Sequence, residues 1–198
     1  DFVRALVCQQ PDGPCDECID CRRSSPGEPI ALDGTGRKGP LLRHVGDHAD
    51  LFWIERGDGG TRVTIGQVRA LQNALHLRST EGGRPAAVIA DGEHLNQEAH
   101  NALLRILEEP PPQTTLVLAT TTAAGMHATV RSRCQRVHSE ADPVRRTERP
   151  SAKLSGGNEG WGLNDEGELT AEQQKAVDLI GGKIAAREFS VALLHGVT

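Results

Sequence analysis

The sequence predicts an α/β fold: a parallel sheet with helices on both of its faces. Ala86–Ala90 and Thr115–Thr120 are short, mostly apolar segments bounded by turn residues, which is typical of strands buried on both faces. Between them, Gln97–Glu108 has the apolar periodicity of a helix. Because strand, helix and strand follow one another, we expect a right-handed parallel crossover.

The composition narrows the classes of function. The 198 residues suffice for one domain with a core, or for one domain and a tail. A net charge of -5 lacks the basic surplus of proteins that grip a duplex alone, so any nucleic-acid role is expected to be shared with partners. Neither a signal-peptide pattern nor an apolar run of membrane-spanning length is found, so we expect a cytoplasmic protein without a membrane partner.

The first fifty residues predict little regular structure. Asp1–Cys8 resembles the end of a helix, and a cysteine cluster follows over Cys8–Cys21. Arg22–Gly46 is rich in Gly, Pro, Ser and charge, which predicts a loop or an insertion. Leu51–Ile54 then predicts a short strand.

A capping box predicts that the next helix begins at Thr64. Thr64 stands at the cap position and Gln67 follows three residues later. The apolar residues that follow recur at helical spacing: Ile65, Val68, Leu71 and Leu75. Arg78–Pro85 predicts a turn.

The helix predicted over Gln97–Glu108 carries one apolar stripe and a defined end. Pro110–Pro112 ends it, because proline lacks the amide donor and clashes with the preceding turn. A further short helix is predicted over Met126–Ser132. The stripe consists of Ala99, Ala102, Leu103, Ile106 and Leu107.

The last sixty residues predict a linker and a short α/β tail. Residues 139–168 are dense in charge, Gly, Pro and Ser, which predicts a flexible linker. Order returns in residues 169–198, with a helix predicted over Ala171–Ala186 and a strand over Ser190–Leu194. We therefore expect three parts: a domain over residues 1–138, the linker and the tail.

Four of the five cysteines predict a metal site. In a reduced compartment, cysteines at this spacing are metal ligands more often than unrelated free thiols. Four thiolates complete a tetrahedral zinc shell and leave no open position, so the predicted zinc is structural. Its ligands are Cys8, Cys15, Cys18 and Cys21.

Phosphate-binding and catalytic motifs are weak or incomplete. Gly34–Gly39 has the composition of a phosphate loop without its spacing, so a flexible loop is the better interpretation. Asp91 and Glu93 follow the strand Ala86–Ala90, which fits either the strand end of an ATPase, where a carboxylate binds magnesium, or a plain strand followed by a polar turn. Arg133 stands at the predicted end of a helix, where a guanidinium can reach a neighbour's γ-phosphate, although a plain surface arginine fits as well.

At this point several motifs resemble one family. Asn101–Pro111 is similar to the stretch Asn-Ala-Leu-Leu-Lys-x-Leu-Glu-Glu-Pro-Pro of bacterial DNA polymerase III clamp-loader subunits, which are AAA+ proteins. Three shorter segments also follow the family pattern: Ile65–Leu71, Leu118–Thr121 and Ser132–Cys134. The resemblance implies a partial AAA+ P-loop-type sheet with an inserted zinc module at residues 8–21.

The resemblance favours the delta-prime type over the ATP-hydrolysing gamma/tau type. Aligned on Asn101, Ala90 stands at the magnesium position of the Walker B strand and Asp91 at the glutamate position. A degenerate Walker B implies that the chain does not bind or hydrolyse ATP itself. Arg133 would then act as an arginine finger, meaning an arginine that reaches the nucleotide of an adjacent subunit.

The same resemblance implies partners rather than an enzyme acting alone. The expected partners are the gamma/tau and delta subunits, with the sliding clamp and primer-template DNA reached through the complex. The chain would thus be part of a DNA-directed DNA polymerase holoenzyme, a nucleotidyltransferase. Two alternatives stay open. One is a fragment of a gamma/tau-type ATPase, and the other is a protein-binding fragment that zinc stabilises and that has no role in replication.

The tail resembles a different family. Leu169–Ala176 and Leu193–Thr198 are similar to the primosomal replication-restart helicase (primosomal protein N') just before its phosphate loop. This leaves a helicase-derived DNA-binding fragment as a further alternative, and it suggests a fused or truncated reading frame. By the clamp-loader resemblance we expect the first strand of the sheet, the phosphate loop and the later domains to be missing, which would expose a sheet edge.

Overall fold

The computed structural model describes residues 2–10, 13–25, 27–77, 84–138, 175, 178 and 190–195. Its α-helices are α1 Phe2–Ala5, α2 Ile19–Arg23, α3 Ile65–His76, α4 Gln97–Glu108 and α5 Ala128–Arg131. Its strands are β1 Arg43–His44, β2 Leu51–Ile54, β3 Ala86–Ile89, β4 Thr115–Thr120, β5 Gln135–His138 and β6 Ser190–His195. Two short 3₁₀ turns cover Gly92–His94 and Ala123–Gly125.

The described strands form one sheet in the order β1-β2-β3-β4-β6-β5. Only β1 is antiparallel to its neighbour, and the other adjacent pairs are parallel. The prediction of an α/β fold with a parallel sheet is therefore confirmed. All residues of β2, β3 and β4 are buried, as expected for strands that are covered on both faces.

The last strand of the sequence occupies an interior position of the sheet. β6 pairs in parallel with β4, from Thr115 opposite Ser190 to Thr120 opposite His195. On its other side β6 pairs in parallel with β5, and Gln135 of β5 lies opposite Ala192 of β6. Adjacent strands lie about 4.8 Å apart, so β4 and β5 cannot pair with each other while β6 lies between them. The predicted strand of the tail therefore lies in the same sheet as β1–β5.

Local signals placed the two long helices correctly. The amide N–H of Gln67 donates to Thr64 Oγ1 at 3.4 Å, and that of Thr64 donates to Gln67 Oε1 at 3.0 Å, which completes the predicted capping box. Helix α4 begins after Asn96, whose Oδ1 accepts from the N–H of Ala99, and it ends at Glu108 before Pro110.

The sheet carries apolar side chains on both faces. One face packs against α3, α4 and α5 through a large core that includes Leu71, Leu103 and Val130. The other face packs against Val3 and Ala5 of α1 and against Leu6, which follows the helix. Helices thus cover both faces, as the sequence predicted.

Some boundaries differ from prediction. The helix expected over Met126–Ser132 is limited to Ala128–Arg131, because the ψ angles of Met126 and His127, 146° and 137°, are not helical and Ser132 is the C-cap residue. Arg22–Gly46 is largely irregular, yet it contains the end of α2 and strand β1. The predicted linker at 139–168 lies outside the described residues. So does the tail helix, apart from the helical residues 175 and 178.

Candidate functional site

The Ser-Arg-Cys triplet closes the carboxyl end of α5. Ser132 Oγ donates to the carbonyl oxygen of Thr129 at 3.0 Å, and Arg133 Nη1 donates to the same oxygen at 2.9 Å. Cys134 Sγ donates to the carbonyl oxygen of Val130 at 3.1 Å. The last carbonyls of a short helix lack partners within it. Here the side chains reach those of Thr129 and Val130, and the carbonyl oxygen of Val130 also accepts from the backbone N–H of Arg133. The triplet is thereby held against the end of the helix.

Arg133 also contacts a second element. Its Nη2 lies 3.2 Å from Glu108 Oε1, at the carboxyl end of α4. The guanidinium remains partly exposed, with 41% of the side chain accessible. The guanidinium, a charged and planar hydrogen-bond donor, is therefore held at the surface by its contacts with Thr129 and Glu108.

Cys134, the residue after Arg133, contributes to the packing of the protein core. It packs against the main core, and burial raises the pKa of its thiol to about 11. Among the described residues, the group of side chains that could hold a metal does not include Cys134. Cys134 therefore anchors the turn and is separate from the cysteine cluster.

The carboxylate that follows β3 is engaged by an arginine. Asp91 adopts a left-handed backbone conformation with φ of 56°, and its Oδ2 lies 3.1 Å from Nε of Arg56. The amide N–H of Arg56 also donates to this oxygen, at 3.3 Å. Ala90, directly before Asp91, has no side-chain group that could bind a metal. The strand end thus offers one carboxylate, and that carboxylate is already paired.

Glu93 is directed toward the end of the neighbouring strand. Its Oε1 accepts from Thr121 Oγ1 at 2.5 Å and from the Thr121 amide at 3.2 Å. Burial raises the pKa of Glu93, but these hydrogen bonds favour the carboxylate and leave its pKa below the ordinary value. Glu93 therefore fastens the ends of β3 and β4 together.

The four predicted cysteines meet at one point. Their Sγ atoms all lie within 4.8 Å of one another. Zinc–thiolate bonds of about 2.3 Å would place sulfurs about 3.8 Å apart in a tetrahedron, so a small contraction of the cluster fits the ion. These donors are Cys8, Cys15, Cys18 and Cys21.

Backbone amides already point at the sulfurs. The N–H of Cys18 donates to Cys15 Sγ at 3.4 Å, and that of Cys21 donates to Cys18 Sγ at 3.4 Å. The bond from Cys18 lowers the pKa of Cys15 to about 7, whereas burial raises the pKa of Cys21 to about 12. A cation would supply the charge that a buried thiolate requires. Gly13 gives Cys8 room, because a Cβ at this position would overlap its side chain.

The cluster is tied to the rest of the domain through buried polar contacts. Arg4 of α1 is buried, and it forms an ion pair with Asp16 and donates to the carbonyl oxygen of Cys21 at 3.1 Å. His48 is also buried, and its Nε2 lies 3.3 Å from Asp20 Oδ1 in α2. A metal that fixed the cluster would therefore also fix α1 and α2 against the sheet.

Comparisons with known proteins identify the family of the chain. Residues 38–142 match a family described as the DNA polymerase III delta subunit. The chain belongs to this family. It is 32% identical over 142 residues to the DNA polymerase III subunit delta' of Escherichia coli K12, and 32% identical over 133 residues to that of Yersinia pestis. The predicted resemblance to a delta-prime-type subunit is thereby confirmed.

Each of the two matches covers a larger share of this chain than of the relative. They span 71% and 66% of this delta-prime-type chain, and 36% and 34% of the relatives. The chain thus spans about a third of the length of the curated relatives it matches. A solved structure of a gamma subunit-related protein from Thermotoga maritima is 28% identical, with a TM-score of 0.43 over 48% of this chain and 32% of that one. Among the described residues, no helix is long and apolar enough to cross a membrane.

Sequence reasoning missed the partners of the key side chains. It identified Asp91 and Arg133, but not Arg56 or Glu108, which lie 35 and 25 residues away in sequence. No spacing rule connects such distant positions. For Glu108, an acidic residue at the carboxyl end of a helix was an available signal, since the helix dipole disfavours it there.

Proposed function

We propose that this chain is a delta-prime-like subunit of the DNA polymerase III clamp loader that supplies Arg133 to ATP bound by a neighbouring subunit. The observation that carries the proposal is the partly exposed guanidinium of Arg133, held at the end of α5 by Thr129 and Glu108. Such a group suits phosphoryl transfer, because arginine stays charged and its planar donors match phosphate oxygens.

The strand end after β3 supports the non-hydrolysing half of the proposal. A hydrolytic site needs a carboxylate for magnesium and a second one to position water. Here Ala90 stands at the first position, and the carboxylate of Asp91 is paired with Arg56. Glu93 lies off the strand end in a 3₁₀ turn, and its Oε1 accepts from Thr121. In this proposal the degenerate Walker B residues Ala90 and Asp91 have a structural role only, and ATP is bound by another subunit.

The proposed assembly follows from the family. The partners are the gamma/tau and delta subunits in the cytoplasm, and the complex reaches the sliding clamp and primer-template DNA. Within the chain, we assign residues 1–138 to the clamp-loader domain with its zinc module at 8–21. Residues 139–168 are assigned as a linker. Residues 169–198 resemble the start of a helicase domain and contribute β6 to the sheet.

Nucleotide binding separates this proposal from a gamma/tau-type ATPase. Titration of the isolated chain with a fluorescent ATP analogue is expected to show no saturable binding, because Ala90 leaves the magnesium position of the strand end without a carboxylate. A clamp loader reconstituted from this chain with gamma and delta subunits should hydrolyse ATP and load clamps. Tight magnesium-dependent binding to the isolated chain would contradict the proposal, as would failure to form the complex.

The proposed zinc makes a separate prediction. Metal analysis of the protein purified under reducing conditions should find about one zinc ion per chain, bound by four thiolates. Cys21→Ser should lower this content strongly, because it removes the buried ligand of the cluster. Cys134→Ser is the matched control and should leave zinc unchanged. Equal zinc in the Cys21→Ser and wild-type proteins would contradict the assignment.

A further inference from the structure

We infer that Glu108 is a positioning residue for Arg133, fixing the plane of its guanidinium for the neighbour's nucleotide. The inference rests on the proposed function of Arg133. Glu108 is the last residue of α4, and its Oε1 lies 3.2 Å from Arg133 Nη2. The pair joins the ends of two helices that are separated by β4 in the sequence.

Neither helix stability nor ion-pair energy explains the acidic residue at this position. The dipole of α4 disfavours negative charge at its carboxyl end, yet Glu108 and Glu109 both stand there. The side chains of Glu108 and Arg133 are 54% and 41% exposed, so water screens their attraction and the pair contributes little to folding. What the carboxylate does provide is a second fixed point for the guanidinium.

Two fixed points on different elements define an orientation that one point cannot. Nη1 is held by the carbonyl oxygen of Thr129 in α5, and Nη2 is held by Glu108 in α4. An arginine has five N–H donors, and these two contacts use one hydrogen of each terminal nitrogen. The guanidinium can therefore be oriented while it keeps donors available for a phosphate. Orientation in advance of reaction lowers the entropic cost of reaching the transition state.

The residues that follow Glu108 and Arg133 in the chain hold both side chains in place. Pro110–Pro112 begin two residues after Glu108, so the helix cannot extend and Glu108 remains at its end. Below Arg133, Cys134 packs against the core and bonds to Val130. Glu109, one residue further on, is also exposed and offers a matched control of equal charge.

A double-mutant cycle in the reconstituted clamp loader tests this inference. We expect Glu108→Ala to lower the kcat of ATP hydrolysis about tenfold at unchanged KM, because misorientation weakens contacts made in the transition state. In an Arg133→Ala background, Glu108→Ala should have no further effect. Glu108→Gln retains an acceptor oxygen and should recover most of the activity, whereas Glu109→Ala should match the wild type.

The outcomes separate this inference from the proposed function. If Arg133→Ala lowers turnover strongly and Glu108→Ala does not change it, the positioning role is overturned and the function of Arg133 stands. An equal loss from Glu108→Ala in the presence and absence of Arg133 would show a merely structural role and also overturn the inference. If Arg133→Ala itself has no effect, the proposed function fails.

Discussion

Replacing Arg133 with alanine is expected to lower ATP turnover by the reconstituted clamp loader about a thousandfold, the scale seen when an arginine finger is removed. The guanidinium would stabilise charge that develops on the transferred phosphoryl group, so kcat should fall while assembly persists. The fold should tolerate the change, because the side chain is partly exposed and surface substitutions usually alter the free energy of unfolding by less than about 0.5 kcal/mol. Steady-state hydrolysis in the presence of clamp and primer-template DNA measures the effect.

Two further variants make this result specific. Arg133→Lys keeps the charge but loses the planar donors, so we expect it to recover little activity. Arg136→Ala removes an exposed arginine of β5 three residues away, and should leave turnover near the wild-type rate. Equal losses from Arg133→Ala and Arg136→Ala would point to a general charge effect and contradict the assigned role.

Replacing Leu193 with alanine is expected to destabilise the whole domain by about 2–5 kcal/mol, the usual cost of truncating a buried leucine. Leu193 is fully buried in the main core, and it lies in β6 between β4 and β5. Because β6 supplies the partner for both neighbouring strands, the loss should appear in the unfolding of the entire sheet. Urea unfolding followed by circular dichroism measures the change in the free energy of unfolding.

Leu77 provides the matched control for Leu193. Its side chain is 71% exposed at the end of α3, so Leu77→Ala should change the free energy of unfolding by less than about 0.5 kcal/mol. Equal stabilities of the two variants would mean that β6 does not fill the interior position. In that case the tail would be independent of the clamp-loader sheet.

The parts of the fold that sequence reasoning placed correctly depend on local signals. Thr64 and Gln67 form a capping box within four residues, and the Pro110–Pro112 run ends α4 at the expected position. The cysteine cluster also lies within a short segment, so spacing alone was enough to predict it. Each of these features is decided by chemistry that neighbouring residues share.

The position of β6 could not be predicted in this way. Its apolar pattern predicted a strand at Ser190–Leu194, but a pattern does not specify which strands will pair with it. The pairing is decided by the space between β4 and β5, and by contacts with residues more than fifty positions earlier in the sequence. For the same reason the contacts Arg56–Asp91 and Glu108–Arg133 emerged only from the structure.

The central claim is that Arg133 reaches a nucleotide held by another subunit. An ATP analogue with a photoreactive group on its γ-phosphate tests this most directly, because it labels whatever lies beside that phosphate. In the reconstituted clamp loader, we predict labelling of this chain on the peptide that contains Arg133, and no labelling of the isolated chain. Labelling of the isolated chain, or labelling in the complex that avoids this peptide, would contradict the claim.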